Sequence, residues 1–379
     1  MCAFPDWRFP KRSAAIAEAI GPGQRILIWP PLLAATAAAL LSIQSPAVAL
    51  ADDLKNPFAR VFQPPASNRP ANCPELVEPI HDISGVRYYV DGRSSVVDKH
   101  KQEANRERAQ PALTYLALVA RQTASALVSA DSGQAECVLN LLYHWAKDRA
   151  LFGNFNAQGY GYRRWLVNAL ALNFLSIRDA AQLSPEKISE VEKWFRELGA
   201  DLIRTDAGYE NNLLYWSAAA VGATAIAANE PKLFQWAMTK ARSGIDEIDA
   251  TGALPREARR GERAMRYHAF ALEPLMELAV LAKANGIDLF AVNDRGLERL
   301  VRLVVRNSDK PEEVARLAGV AQDWPTSGSY RSAWTVPYFT LTGDCSILAI
   351  SAGEGPIVRY YMGGRLDLLY RTSMKCGAP

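Results

Sequence analysis

Two amides, and a tyrosine behind a cluster of arginines, carry most of the chemistry open to this 379-residue chain. Asn211 and Asn212 stand together at the head of the apolar run that ends at Ala228. One asparagine at a helix start is explained as a cap. A second has no capping role left, and an amide beside free backbone N–H groups favours an anion. Further along, Arg259, Arg260, Arg263 and Arg266 crowd the start of another apolar run and are interleaved with Tyr267 and His268. Positive charge beside a phenol lowers its pKa from about 10 and lets the oxygen exchange protons near neutrality. The same residues also allow a solvated basic loop with Tyr267 in the core.

Two other stretches add to this set. In "YYVDGRSSVVDKHK", residues 88–101, Gly and Ser residues suit a turn or a loop able to close over a cleft, with Tyr89 as a candidate substrate contact. In "NFNAQGYGYRRW", residues 154–165, Arg163 and Trp165 suit carboxylate pairing and stacking on sugar faces. The histidines, His81, His100, His144 and His268, form no ligand pair at helical spacing, and no CxxC is present, so no metal is expected.

The elements that would position these groups are helical. Apolar residues recur at three and four, with Gly, Pro or Asn turns between, over 103–129, 135–150, 162–181, 185–203, 212–228, 231–245, 264–284 and 295–306. The helix from Asn212 is apolar all round, which implies burial, whereas that from Pro185 is amphipathic. Stacked helical hairpins with an inner and an outer row follow, an all-α incomplete (α/α) toroid with a long inner cleft. An extended arm precedes it, and the segment after Ser346, with Gly-separated apolar runs, reads as short strands or an irregular wrapping tail.

Lys11, Arg12 and Arg25 precede an apolar stretch from Ile26 to Leu41, and Ala47-Val48-Ala49 supplies small residues, so residues 1–49 read as a secretory signal. Residues 50–102 read as the arm and lid loop, and 103–379 as the toroid. A periplasmic or secreted location permits pairing among Cys73, Cys137, Cys345 and Cys376, in any of three connectivities. A net charge of +3 with scattered basic residues argues against nucleic acid.

In chain order, "NCPEL", "YVDGRSSVVD", "ECVLNLL", "NNLLYW", "LFQWA", "GALPRE", "RRGERAMRYHAFAL" and "NGIDL" resemble the bacterial periplasmic alginate lyases of the mannuronate-specific type, from about Cys73 to Gly363-Gly364. The resemblance implies the incomplete toroid and β-elimination of uronate chains without metal or organic cofactor. It places Asn212 and Arg260 on the substrate carboxylate, makes Tyr267 catalytic, sets Trp216 in the cleft, and gives Arg163 and Trp165 a basic-aromatic wall. It also implies a Cys73–Cys137 disulfide. Asn211, Arg263, His268 and Tyr89, close to these positions, are expected to touch substrate. The expected partner is an acidic polysaccharide, without nucleic acid or membrane insertion after signal cleavage, and the protein is expected to be a monomer.

The chain departs from the family pattern at Leu213, where the family carries histidine, and has no clear match to a lysine in the loop around Tyr88. Neutralising a uronate carboxylate makes its C5 proton acidic. With C5–H and O4 on one face, as in β-mannuronate, a single tyrosine can both remove and return the proton. Guluronate needs a second group, for which His268 or His144 would be the candidates, although His268 projects in a different direction from Tyr267. Two other readings stay open. A non-catalytic binder of acidic polysaccharide is favoured by Leu213, and an inverting hydrolase would use two carboxylates from Glu210, Asp249, Glu257 and Glu262.

Overall fold

Side-chain oxygens start the helices. Asp98 accepts from Lys101 N, Asp131 from Gly133 N and Gln134 N, Asn156 from Gly159 N, and Asn211 from Leu213 N, each satisfying N–H groups that a first turn leaves open. The computed structural model describes residues 53–63, 72–206, 208–325, 327–351, 355–372 and 374. The signal expected over residues 1–49 lies outside them, as does Cys376.

The helices are α1 (Lys99–Ser129), α2 (Ser132–Lys147), α3 (Ala157–Ile177), α4 (Pro185–Asp206), α5 (Asn212–Ala228), α6 (Pro231–Asp246), the single turn α7 (Pro255–Ala258), α8 (Ala264–Ala284) and α9 (Gly296–Arg306). The expected helices are therefore present, with shifts of a few residues at their ends. They pair as hairpins, and α1, α3, α5 and α8 pack side by side as the inner row of an incomplete (α/α) toroid. Along α5 every residue except Leu213 is buried, whereas α4, α6 and α9 bury one face through residues such as Trp194 and Phe195, Phe234 and Met238, and Leu300 and Val304. That contrast is the alternation of buried and water-facing helices expected of two layers. Although an inner helix, α1 buries only one face, through residues such as Tyr115, Leu116 and Val119.

Residues 53–63 run beneath this row without helix or strand. Leu54 N donates to Asn229, the C-cap of α5, and Lys55 N donates to Asn285, the C-cap of α8. Asn56 donates to Leu175 O in α3, and Gln63 N to Ala130 O, the C-cap of α1. A Cys73–Cys137 disulfide ties the following segment to α2. Cys345 is also disulfide-bonded.

After α10 (Glu312–Ala318), α11 (Ser329–Ser332) and α12 (Thr335–Thr342), the chain forms the strands β1 (Val358–Arg359) and β2 (Gly364–Arg365) and the turn α13 (Leu366–Leu369). The strands pair antiparallel, Val358 with Arg365 and Arg359 with Gly364. This hairpin packs against α1, α3 and α8, so the tail plugs the interior of the ring as well as wrapping it. No helix among the described residues is long and apolar enough to cross a membrane.

Candidate active site

First-turn residues of all four inner helices, Gln102, Ala157, Asn212 and Tyr267, line one cavity of about 560 Å³. Four positive helix ends thus meet at a volume suited to a small ligand or a few sugars. The lining adds Arg164, Arg260, Arg263, Arg266 and Arg359, with Tyr88, Tyr89, Trp165, Tyr209, Phe270, Tyr330 and Tyr361. No Asp, Glu or His lines it among the described residues. A basic, aromatic cleft of this kind suits an anionic chain whose sugar faces can stack.

At its centre Tyr267, at the head of α8, hydrogen-bonds through its hydroxyl to that of Tyr89. Arg260 lies over the Tyr267 ring, with Cζ 3.8 Å from the centroid. Tyr89 comes from a tight turn in which Val90 N donates to Val96 O, Asp98 N to Tyr88 O, and the Asp91 carboxylate accepts from the N–H groups of Arg93, Ser95 and Val96. Ser95 of that turn packs against Gly261, where an added Cβ would stand 3.3 Å from the Ser95 Cβ. The loop expected as a lid therefore lies against the arginine segment. The expected lowering of the Tyr267 pKa is overturned: burial pushes the phenol well above its ordinary value, Tyr89 pushes it further, and Arg260 opposes them without prevailing.

Each asparagine of the pair is engaged differently. Asn211 is the cap, its Oδ1 accepting from Leu213 N at 3.0 Å. Asn212 donates through both backbone N and Nδ2 to Oε1 of Glu257, at 2.9 and 2.8 Å, while its Oδ1 has no partner among the described residues. Glu257, on α7, is buried, which raises its pKa, while Arg260 nearby acts to lower it.

Three expected contacts lie elsewhere. Arg163 turns away from the cleft into the core, pairing with Asp201 at 2.6 Å and donating to Leu151 O. Its neighbour Arg164, one position on and so about 100° round the helix, takes the cleft side. Arg164 Nε donates to Asp206 at 3.1 Å, its Cζ lies 4.5 Å from the Tyr209 ring centroid, and Nη1 and Nη2 have no hydrogen-bond partner among the described residues. Trp216 is fully buried behind the lining, against Phe270 and Tyr361. His268 is fully buried, accepting from Leu254 N and bonded to Ala264 O, and burial lowers its pKa to about 4, so it is held as a neutral structural group. His144 lies by the disulfide, in a separate surface hollow with Cys73 and Cys137. Trp165, Arg263, Asn211 and Tyr89 do line the cleft.

The residues missed from sequence, Arg164, Tyr330, Arg359 and Tyr361, come from α3 and from the tail, whereas Arg266 belongs to the arginine cluster already read there. For Arg164 a signal existed in the doubled arginine of "YRRW"; for Arg359 and Tyr361, brought in by long-range packing, none did.

Glu210 pairs with Arg256, Asp249 caps its own turn through Thr251 and Ala253, Glu257 is held by Asn212, and Glu262 is exposed. These placements leave no carboxylate pair in the cleft among the described residues.

The same arrangement of helices recurs in alginate lyase A1-III. Two of its variants, each complexed with a tetrasaccharide, match with TM-scores of 0.71 and 0.72 at 19% identity, covering 80% of this chain and 87% of theirs. Among sequences, a polysaccharide lyase of Stenotrophomonas maltophilia is 32% identical over 306 residues, 79% of this chain and 91% of its own length. An alginate lyase of Azotobacter vinelandii is 30% identical over 320 residues, 80% and 85% of the two chains. The family model described as alginate lyase matches residues 65–314, which include every element of the cleft except those that the tail supplies. Sequence and fold agree, and the chain belongs to the alginate lyase family of polysaccharide lyases.

Proposed function

We propose that the protein cleaves mannuronate-rich alginate, or a related acidic exopolysaccharide, by β-elimination, with Tyr267 moving the proton. The observation that carries this reading is the Tyr267 hydroxyl, lying in a basic cleft under the Arg260 guanidinium. The uronate carboxylate would meet Arg260 and the amide of Asn211, the one member of the asparagine pair whose Nδ2 is not engaged by a described residue. Asn212, which also lines the cleft, is locked to Glu257 through its Nδ2. Neutralised in this way, the carboxylate can share the charge that develops when C5 loses its proton.

Tyr267 must be ionised to act as base, and in the closed arrangement Tyr89 opposes that. Lifting the 88–97 turn removes Tyr89 and leaves Arg260, which favours the phenolate. The phenolate oxygen then takes the C5 proton, the C5–H electron pair forms the C4–C5 double bond, and the C4–O4 bond breaks. The same proton passes to O4, which restores the phenolate for the next cycle. One group suffices because both atoms lie on one face of β-mannuronate. Leu213 offers no second group, and the absence of histidine from the described lining fits a mannuronate substrate best. Action outside the cytoplasm fits the Cys73–Cys137 disulfide and the leader read over residues 1–49.

The non-catalytic reading draws on Leu213 and on the raised Tyr267 pKa, but a binder has no use for a tyrosine clamped between a cation and a movable turn. Near-ultraviolet absorbance of the unsaturated product separates the two. Incubation with polymannuronate, polyguluronate and glucuronan is expected to give a rise on polymannuronate. Binding of all three by calorimetry without any rise would leave the binder.

A further inference from the structure

The C-terminal tail reaches the cleft most directly through one cation. Arg359 on β1 lines the cavity, and the hairpin that carries it is fitted closely into the ring. Gly364 takes a positive φ of 110°, and an added Cβ there would stand 2.8 Å from the Ala120 Cβ, so backbone meets helix with no side chain between.

The guanidinium is fixed as firmly. Nε and Nη2 each lie 2.9 Å from Oε2 of Glu273, and Cζ lies 4.9 Å from the Tyr361 ring centroid and 5.4 Å from that of Tyr330. Glu273 is fully buried on α8, on the stripe that carries Tyr267 and Phe270 at successive turns. A buried carboxylate is costly unless paired, and Arg359 is its only ion-pair partner among the described residues. With one edge of the guanidinium held by Glu273 and rings against its faces, Nη1 is the group left for the cleft.

Phe270 stands between this cation and the reacting centre. Its ring centroid is 6.4 Å from that of Tyr267 and 5.8 Å from the Arg359 Cζ, and the Tyr330 ring stacks on it at 5.8 Å. Arg260, over Tyr267, and Arg359, over Phe270, are thus set at successive rings of one aromatic wall, an arrangement suited to consecutive carboxylates. A uronan presents a carboxylate on every sugar.

We propose that Arg359 binds the carboxylate of the uronate next to the one cleaved, and that Glu273 is the positioning residue that aims it. This inference rests on the lyase reading above. The test compares a mannuronate tetramer with the same tetramer whose carboxyl groups outside the cleaved residue are reduced to hydroxymethyl, using the full chain and the variants Arg359→Lys and Glu273→Gln. The wild type is expected to favour the fully acidic tetramer in kcat/KM by about tenfold or more, the scale of a charge-assisted hydrogen bond. Lysine keeps the charge but loses the planar fork, and glutamine keeps the shape but loses the clamp, so in both variants the preference falls to about twofold or less. Damage to folding lowers both substrates alike, and a ratio that stays at the wild-type value in both variants overturns the proposal. If the wild type cleaves neither tetramer, the lyase reading fails, and calorimetric binding of the same pair decides the subsite. A preference lost in Arg359→Lys then supports it, and equal binding of both tetramers by the wild type overturns it.

Discussion

The inner helices are finished at one end and left open at the other. At their C-terminal ends the arm satisfies the caps: Asn229 receives Leu54 N and donates to Asp53, and Asn285 receives Lys55 N and donates to Lys55 O. At their N-terminal ends, around the cleft, buried polar atoms of Arg164, Asn212, Arg260, Arg263 and Arg266 have no partner among the described residues, against Thr123, Asn173 and the arm's Arg60 toward the other end. Native proteins rarely leave such atoms unpaired, because each costs about 1–3 kcal/mol. The difference separates two uses of the same four helices: the strapped end holds the ring together, and the open end keeps its hydrogen-bonding capacity for a ligand.

The largest expected effect lies at the open end. Tyr267→Phe removes the proton carrier and keeps the ring, so kcat/KM on polymannuronate should fall by about 10²–10⁴, the scale of general acid–base catalysis. Calorimetric affinity should change little. Asn285→Ala, at the strapped end, should leave kcat/KM within error and lower the melting temperature, since loss of its half-exposed hydrogen bonds to Lys55 costs about 0.5–1.5 kcal/mol. Comparable activity losses in the two variants would remove the distinction between the ends.

Phe58→Ala tests the strap more severely. Phe58 is 2% exposed and meets Tyr370 edge-on, with centroids 5.5 Å apart, so truncation should cost about 3–5 kcal/mol in chemical unfolding with little change in KM at a temperature where the variant is folded.

Much of this division was legible in the residues themselves. The run from Asn212 to Ala228, apolar all round, could only be an inner helix, and the charged faces of α4 and α6 could only be outer ones. Tyr267, Arg260 and Arg263 were visible because they are close together in sequence. Arg163 was mistaken for Arg164 because a doubled arginine does not reveal which of the two meets Asp201 and which Asp206; helix rotation decides it. His268 looked chemical beside Tyr267, but a neighbour on a helix points about 100° away, here to Leu254 N. Neither Arg359 nor the order in which the arm visits the helix ends follows from local pattern, since both depend on contacts between residues far apart in the chain.

The interior between the two ends gives a pH test. Glu277 on α8 has Asn168 Nδ2 at 3.0 Å and no cation paired with it among the described residues, and burial raises its pKa to about 8 from an ordinary 4.5. The folded state therefore binds a proton that the unfolded chain has released. That contribution to stability is fully present below pH 4.5 and is lost as the pH rises through about 8. Glu277→Gln cannot ionise, so the variant should gain stability over the wild type at pH 8.5 and match it near pH 4.5, as read from urea midpoints. An equal difference at both pH values would show that Glu277 is not the titrating group.

The smallest effect is expected from Leu213→His, which adds chemistry to the open end without touching the strap. Leu213 is half-buried on the cleft wall made by α5, whereas Tyr267 comes from α8, so an imidazole there would supply a protic group from a second wall. No carboxylate lines the cleft among the described residues to orient its ring, and Asp206 Oδ2 is already taken by Arg164 Nε and Ser217 Oγ. A base without an orienting partner works below the ~10²–10⁴ of a positioned one, and a roughly tenfold rise on polyguluronate is the expected gain. Activity on polymannuronate should stay within about threefold, because Tyr267 alone serves that geometry. A rise on polyguluronate alone would show that the open end lacks only a second proton carrier. No rise on polyguluronate, with polymannuronate cleavage intact, would move the cause of selectivity from proton transfer to how the arginines hold the chain.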